Sequence, residues 1–124
     1  MRKPKEESRI LYALTCNNSI IFVVYRSDFM EDFSFICSHE ADQFFLIKEI
    51  SCLKTFEEIR YFITDSIVLG QILGSLGIYS ISKSLSQELL LRHGQSLRRI
   101  CNFVDNVCMH KQYGIVESCL EIIK

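Results

Sequence analysis

The chain has 124 residues, 48% of them hydrophobic and 23% charged, with a formal net charge of −1, six cysteines, one proline and no tryptophan. That composition excludes a disordered or fibrous chain, and the near-neutral charge argues against a protein built mainly to grip nucleic acid by its phosphates. One domain is the default at this length, and about two-thirds of the unfolded surface is buried on folding, enough for a core without metal or disulfide support.

Taken in chain order, residues 1–8 read as a flexible tail and residues 9–124 as a single α+β domain. Arg9 to Thr15 and Ser19 to Tyr25 are rich in Ile, Leu, Phe, Val and Tyr and predict two strands. Asn17-Asn18 between them suits a two-residue turn, because Asn tolerates positive φ. A loop is expected over residues 27–32, a third strand from Phe33 to Ser38, and a fourth from Gln43 to Ile50. Four short strands joined by tight turns predict an antiparallel meander.

The period then changes. Thr55-Phe56-Glu57-Glu58 matches a capping box, and Phe56, Ile59, Phe62, Ile63 and Ile67 recur at helical spacing, predicting a helix to about Leu73. Gly74 and Gly77 would end it. Ser82 or Ser84 would cap a second helix, running through Arg92 and stopped at Gly94. Ser96 would cap a third, with a stripe of Leu97, Ile100, Cys101, Val104, Val107 and Cys108 closed by Gly114. Ile115 to Ile123 reads as a short last helix. The fold class is therefore α+β, a four-stranded antiparallel meander in the N-terminal half followed by three to four C-terminal helices.

Met1 to Ser8 is charged, so no secretory signal is expected. The six cysteines, each inside an apolar pattern, are then expected as core thiols of an intracellular protein, cytoplasmic or nuclear. The longest uncharged run, Ser66 to Ser82, is too short and too polar for a membrane span.

Ile20-Ile21-Phe22-Val23-Val24 is apolar at every position, whereas a half-exposed antiparallel strand alternates. Both faces of such a strand must be covered, by helices divided between them or by a partner on one of them. Ile21, Val23, Phe29, Met30 and Phe33 are accordingly candidate partner contacts, since aromatic and Met anchors favour interface cores. Arg92, His93, Arg98 and Arg99 flank the expected helix start at Ser96, and Lys111 lies further along. Free amides there would favour an anion, a weaker set for phosphate, an acidic peptide or nucleic acid.

The string Leu89-Leu90-Leu91-Arg92-His93-Gly94 resembles the signature of the histidine phosphatase superfamily. The resemblance implies a strand that delivers Arg92 as phosphate clamp and His93 as nucleophile. It covers five to eight of 124 residues, and only 28 residues follow Ser96, where the family places its further catalytic groups well over a hundred residues on. Cys37-Ser38-His39 and Cys108-Met109-His110 make a Cys2His2 inventory, but the second pair diverges on a helix. No catalytic set, metal or cofactor is therefore expected. The reading that leads is a non-enzymatic protein-interaction module, a small subunit with a protein partner or a second copy of itself. A nucleic-acid or phospholigand adaptor is the alternative, and a phosphatase-like enzyme the remote one.

Overall fold

The computed structural model describes residues 8–37 and 42–113, with side chains as far as His110. The elements are β1 (Arg9–Thr15), β2 (Ile20–Arg26), β3 (Phe29–Ile36), α1 (Gln43–Ser51), β4 (Ile59–Thr64), α2 (Ile67–Ser75), β5 (Tyr79–Ser80) and α3 (Lys83–Tyr113), with a short 3-10 turn at Phe56–Glu58 before β4. They build one five-stranded sheet in the order β3-β2-β1-β4-β5. β2 pairs antiparallel with β1 and β3, whereas β4 lies parallel to β1 and β5 parallel to β4. The class is α+β as expected, but the sheet is mixed and five-stranded rather than a four-stranded antiparallel meander.

Two assignments account for the difference. Gln43 to Ile50 is helix, not strand. Asp42 caps it by accepting from the Phe45 amide at 2.8 Å, and Leu46 and Ile50, four residues apart, are its buried face. The expected first helix breaks into the 3-10 turn, β4 and α2. Within β4, Phe62 packs on one side of the sheet and Tyr61 and Ile63 on the other, an alternation of period two hidden in a spacing that also fits a helix. α2 starts at Ser66, whose hydroxyl accepts from the Leu69 amide. It ends in a Schellman motif: the Ile78 amide bonds the Leu73 carbonyl, the Gly77 amide bonds the Gly74 carbonyl, and Gly77 takes φ +84°. The helices expected on either side of Gly94 are one helix of 31 residues, α3. The helix expected over residues 115–123 lies outside the described residues, as do residues 1–7 of the expected tail.

The continuous apolar strands are explained by two cores, one on each side of the sheet. Ile20, Phe22 and Val24 point into the core shared with α1 and α2. Ile21, Val23 and Tyr25 point into the core shared with α3, against Leu89, Leu97 and Val104. Ile21 and Val23 are completely buried there, so α3 covers the face otherwise left to a partner, and these two residues are not partner contacts.

Two disulfides, Cys16–Cys101 and Cys37–Cys108, join the ends of β1 and β3 to α3. They correct two expectations, that these cysteines are free thiols and that the protein is cytoplasmic or nuclear. Disulfides persist in oxidising surroundings, which points to an extracellular or secreted setting. The two helical cysteines are seven residues apart, two turns along one face, which is why they read as a core stripe. Cys52 is the free cysteine among the described residues and is exposed; Cys119 lies outside them. No helix among the described residues is long and apolar enough to cross a membrane.

Candidate functional site

β1 and β4 run parallel, so their carboxyl ends open on the same end of the sheet, the place where open α/β sheets form crevices. Asp65 follows β4 and holds the end of β1. Its carboxylate accepts from the Thr15 amide at 3.0 Å and from the Thr15 hydroxyl at 2.9 Å. An apolar groove of about 640 Å³ opens beside it, with Leu14, Leu90, Leu91 and Leu97 in its walls and Asp65 and Arg98 as its two charged residues. A second groove of about 580 Å³ continues past Asp65 and Leu90 to Ile67 on α2.

At the other end of the sheet, β2 and β3 meet in the two-residue turn Ser27-Asp28, with Ser27 at φ +57°. β3 is an edge strand, and a bulge at Glu31 interrupts its pairing with β2. Glu31 is fixed by Arg9, whose guanidinium donates at 2.6 and 3.2 Å. Phe29 and Met30 are exposed, and so is Phe103 on α3. Between β3 and α3 lies an apolar pocket of about 220 Å³ walled by Met30, Phe33, Ile100 and Phe103, with Arg99 its one charged residue. Phe29, Met30 and Phe33 thus stand together at one sheet edge. Ile100 reads from the sequence only as part of the helical stripe, and Phe103 is not singled out there; their i, i+3 spacing on the helix is the signal that pairs them.

The basic residues separate. Arg98 faces the strand-end groove and Arg99 the β3 pocket. Arg92 lies 3.8 Å from Glu88 and 3.9 Å from Asp28. Ser96 is inside α3 and offers no free helix-start amides, so the expected reason for an anion site there is absent. The side chain of Lys111 lies outside those described.

His93 sits in the middle of a helix and not at a strand end. It is 5% exposed, and both ring nitrogens are engaged. Nδ1 lies 2.7 Å from the Tyr12 hydroxyl, and Nε2 lies 3.1 Å from Asp28 Oδ1. The ring stacks on Tyr25 at 4.1 Å between centroids. Burial pushes the Tyr12 phenol well above its usual range, so Tyr12 keeps its proton, with the Leu89 carbonyl as acceptor at 3.3 Å and His93 Nδ1 as its second partner. Asp105 plays a similar structural part further along α3. Nine-tenths buried, it accepts from the Asn17 amide at 3.1 Å, the Asn18 amide at 2.8 Å and the Ser19 hydroxyl at 2.9 Å, closing the β1–β2 turn.

The Tyr12 shift has a pH consequence. Folding raises its pKa, so its contribution is complete below the unfolded value near 10 and is lost as pH rises beyond it. The native protein is expected to lose stability above pH 10 at up to about 1.4 kcal/mol per unit, and Tyr12→Phe to flatten that decline. At neutral pH the variant costs about 1–2 kcal/mol for the contacts the hydroxyl makes with His93 Nδ1 and the Leu89 carbonyl. Urea unfolding across the alkaline range measures both; an unchanged slope in the variant would assign the decline elsewhere.

Cys37 and Cys108, half of the possible zinc ligands, are bonded to each other, and no cluster of three or more His, Cys, Asp or Glu suited to a metal occurs among the described residues. Compared with known proteins, the chain matches no family model and no curated protein.

Proposed function

We propose that the chain is a non-enzymatic interaction module that binds a protein partner along the edge of β3 and the adjoining flank of α3. The observation that carries this reading is the coincidence of a sheet edge unpaired among the described residues with exposed Phe29 and with exposed Met30 and Phe103, which wall an apolar pocket. An edge strand offers free amides and carbonyls to an extended segment, and a neighbouring pocket selects its side chains. Residues Asp32 to Ile36, beyond the bulge, present the regular part of that edge. Arg99 at the pocket favours an acidic residue next to the partner's apolar anchor.

The test is recovery of a partner from the native source by the intact protein, repeated with Phe103→Glu and Phe29→Glu. Each substitution is at an exposed position and leaves both cores alone. Phe103→Glu is expected to weaken binding by roughly 30-fold or more, the scale of a central anchor. A partner retained equally by both variants would place the interface elsewhere. The nucleic-acid reading has no specific geometric support, because Arg92, Arg98 and Arg99 face three different surroundings.

A further inference from the structure

We propose that the strand-end groove is the contact between two copies of this chain, related by a twofold axis, with Arg98 of each copy meeting Asp65 of the other. This surface is separate from the β3 edge and does not depend on the reading given for it.

The apolar part is unusually bare. Leu91 is 87% exposed and Ile67 83%, and Val68 is exposed beside Ile67. The two grooves beneath them are continuous, since Asp65 and Leu90 line both. Side chains of this size in water forfeit burial energy that a facing surface would recover. The larger groove has room for a leucine from that surface, so Leu91 of each copy fits the groove beside Leu91 of the other.

Charge identifies the occupant. Among the described residues, Asp65, at the end of β4, and Arg98, on α3, are the only charged ones lining the larger groove, and Asp65 the only one lining its continuation. They stand on different elements of the groove wall, and no ion pair joins them within one chain. One acid on one bank and one base on the other form a self-complementary pattern, because a twofold axis exchanges the banks and makes both pairs at once. The continuation of the groove, past Ser66, Ile67, Gly70 and Gln71, adds no second charge to its lining among the described residues. A heterologous partner would need no such match.

The experiment is sedimentation of the intact, disulfide-bonded protein over a range of concentrations. The native chain is expected to dimerise reversibly. Asp65→Arg and Arg98→Asp are each expected to weaken the dimer by at least about tenfold, since each sets like charges against each other twice. An equimolar mixture of the two variants is expected to recover native affinity. In the mixed dimer the introduced arginine meets the introduced aspartate, and the untouched Arg98 meets the untouched Asp65. A pairing within one chain would not be rescued by mixing. Should Asp65→Arg lose its fold with the Thr15 hydrogen bonds, Leu91→Glu decides: it is expected to be monomeric. A native chain that stays monomeric at every concentration, a dimer that survives Leu91→Glu, or a mixture no tighter than its components would overturn the proposal. A monomer would leave the β3-edge reading to its own test.

Discussion

Reducing the two disulfides is expected to lower the thermal midpoint by roughly 20 °C, the largest single effect predicted for this chain. Cys16–Cys101 spans 85 residues and Cys37–Cys108 spans 71. By loop-closure entropy each, taken alone, is worth about 4.5 kcal/mol, and the second adds less because the first has already shortened its loop. Together they contribute roughly 6 kcal/mol, against the roughly 5–15 kcal/mol typical of a whole domain. Both bridges hold the same element: they fasten α3 to the ends of β1 and β3, and without them α3 is held by its apolar stripe and by the His93 and Asp105 contacts. Calorimetry with and without reductant measures the shift. Serine replacement of one pair at a time separates the bridges, and each pair is expected to cost well under half of the total, because the bridge left in place is still worth about 4.5 kcal/mol by itself. Alkylation of the unreduced, denatured chain should leave Cys16, Cys37, Cys101 and Cys108 unmodified. A midpoint indifferent to reductant, or four reactive thiols at those positions, would return the protein to a reducing compartment.

How much of this was legible in the sequence depends on which residue is asked. Strands β1 and β2 were, because their apolar density and the Asn17-Asn18 turn admit one assignment. That both faces of β2 are buried was also legible, but not what buries them. The helix α1 that helps cover one face is the crossover between β3 and β4, and it was hidden in Phe44-Phe45-Leu46-Ile47, an unbroken apolar run that fits strand and helix alike. Gly94 misled for a local reason. A glycine at that spacing ends many helices, yet Leu89 and Leu97 on either side bury against the same core, and that packing carries α3 through it. At the β3 edge, Phe29, Met30 and Phe33 were visible as anchors, while their neighbours on α3 depend on a long-range contact that no local pattern encodes. The cysteines show the same limit, since spacing along one helix says nothing of a thiol 85 residues away.

Asp105 was passed over altogether, although it is a lone acid inside the stripe from Leu97 to Cys108, and its replacement by alanine is expected to cost about 3 kcal/mol. Its carboxylate takes three donors of the β1–β2 turn, and the Cys16 amide closes the same turn on the Ser19 carbonyl at 2.8 Å. The alanine variant would leave the buried Ser19 hydroxyl and two amides without this acceptor. Asp105→Asn is expected to cost rather less, because one oxygen remains to accept while the amide nitrogen faces a donor. The carboxylate and the Cys16–Cys101 bridge fasten the same joint one helical turn apart. With the bridge intact the turn stays tethered when the carboxylate is removed; with the bridge replaced by serines, Asp105 is the remaining polar clamp. The two losses are therefore expected to be non-additive, Asp105→Ala costing more in the serine background. Urea unfolding of the four-member cycle measures this directly. A cost of Asp105→Ala within about 0.5 kcal/mol of zero, the range of an ordinary surface change, would mean the turn holds itself without α3.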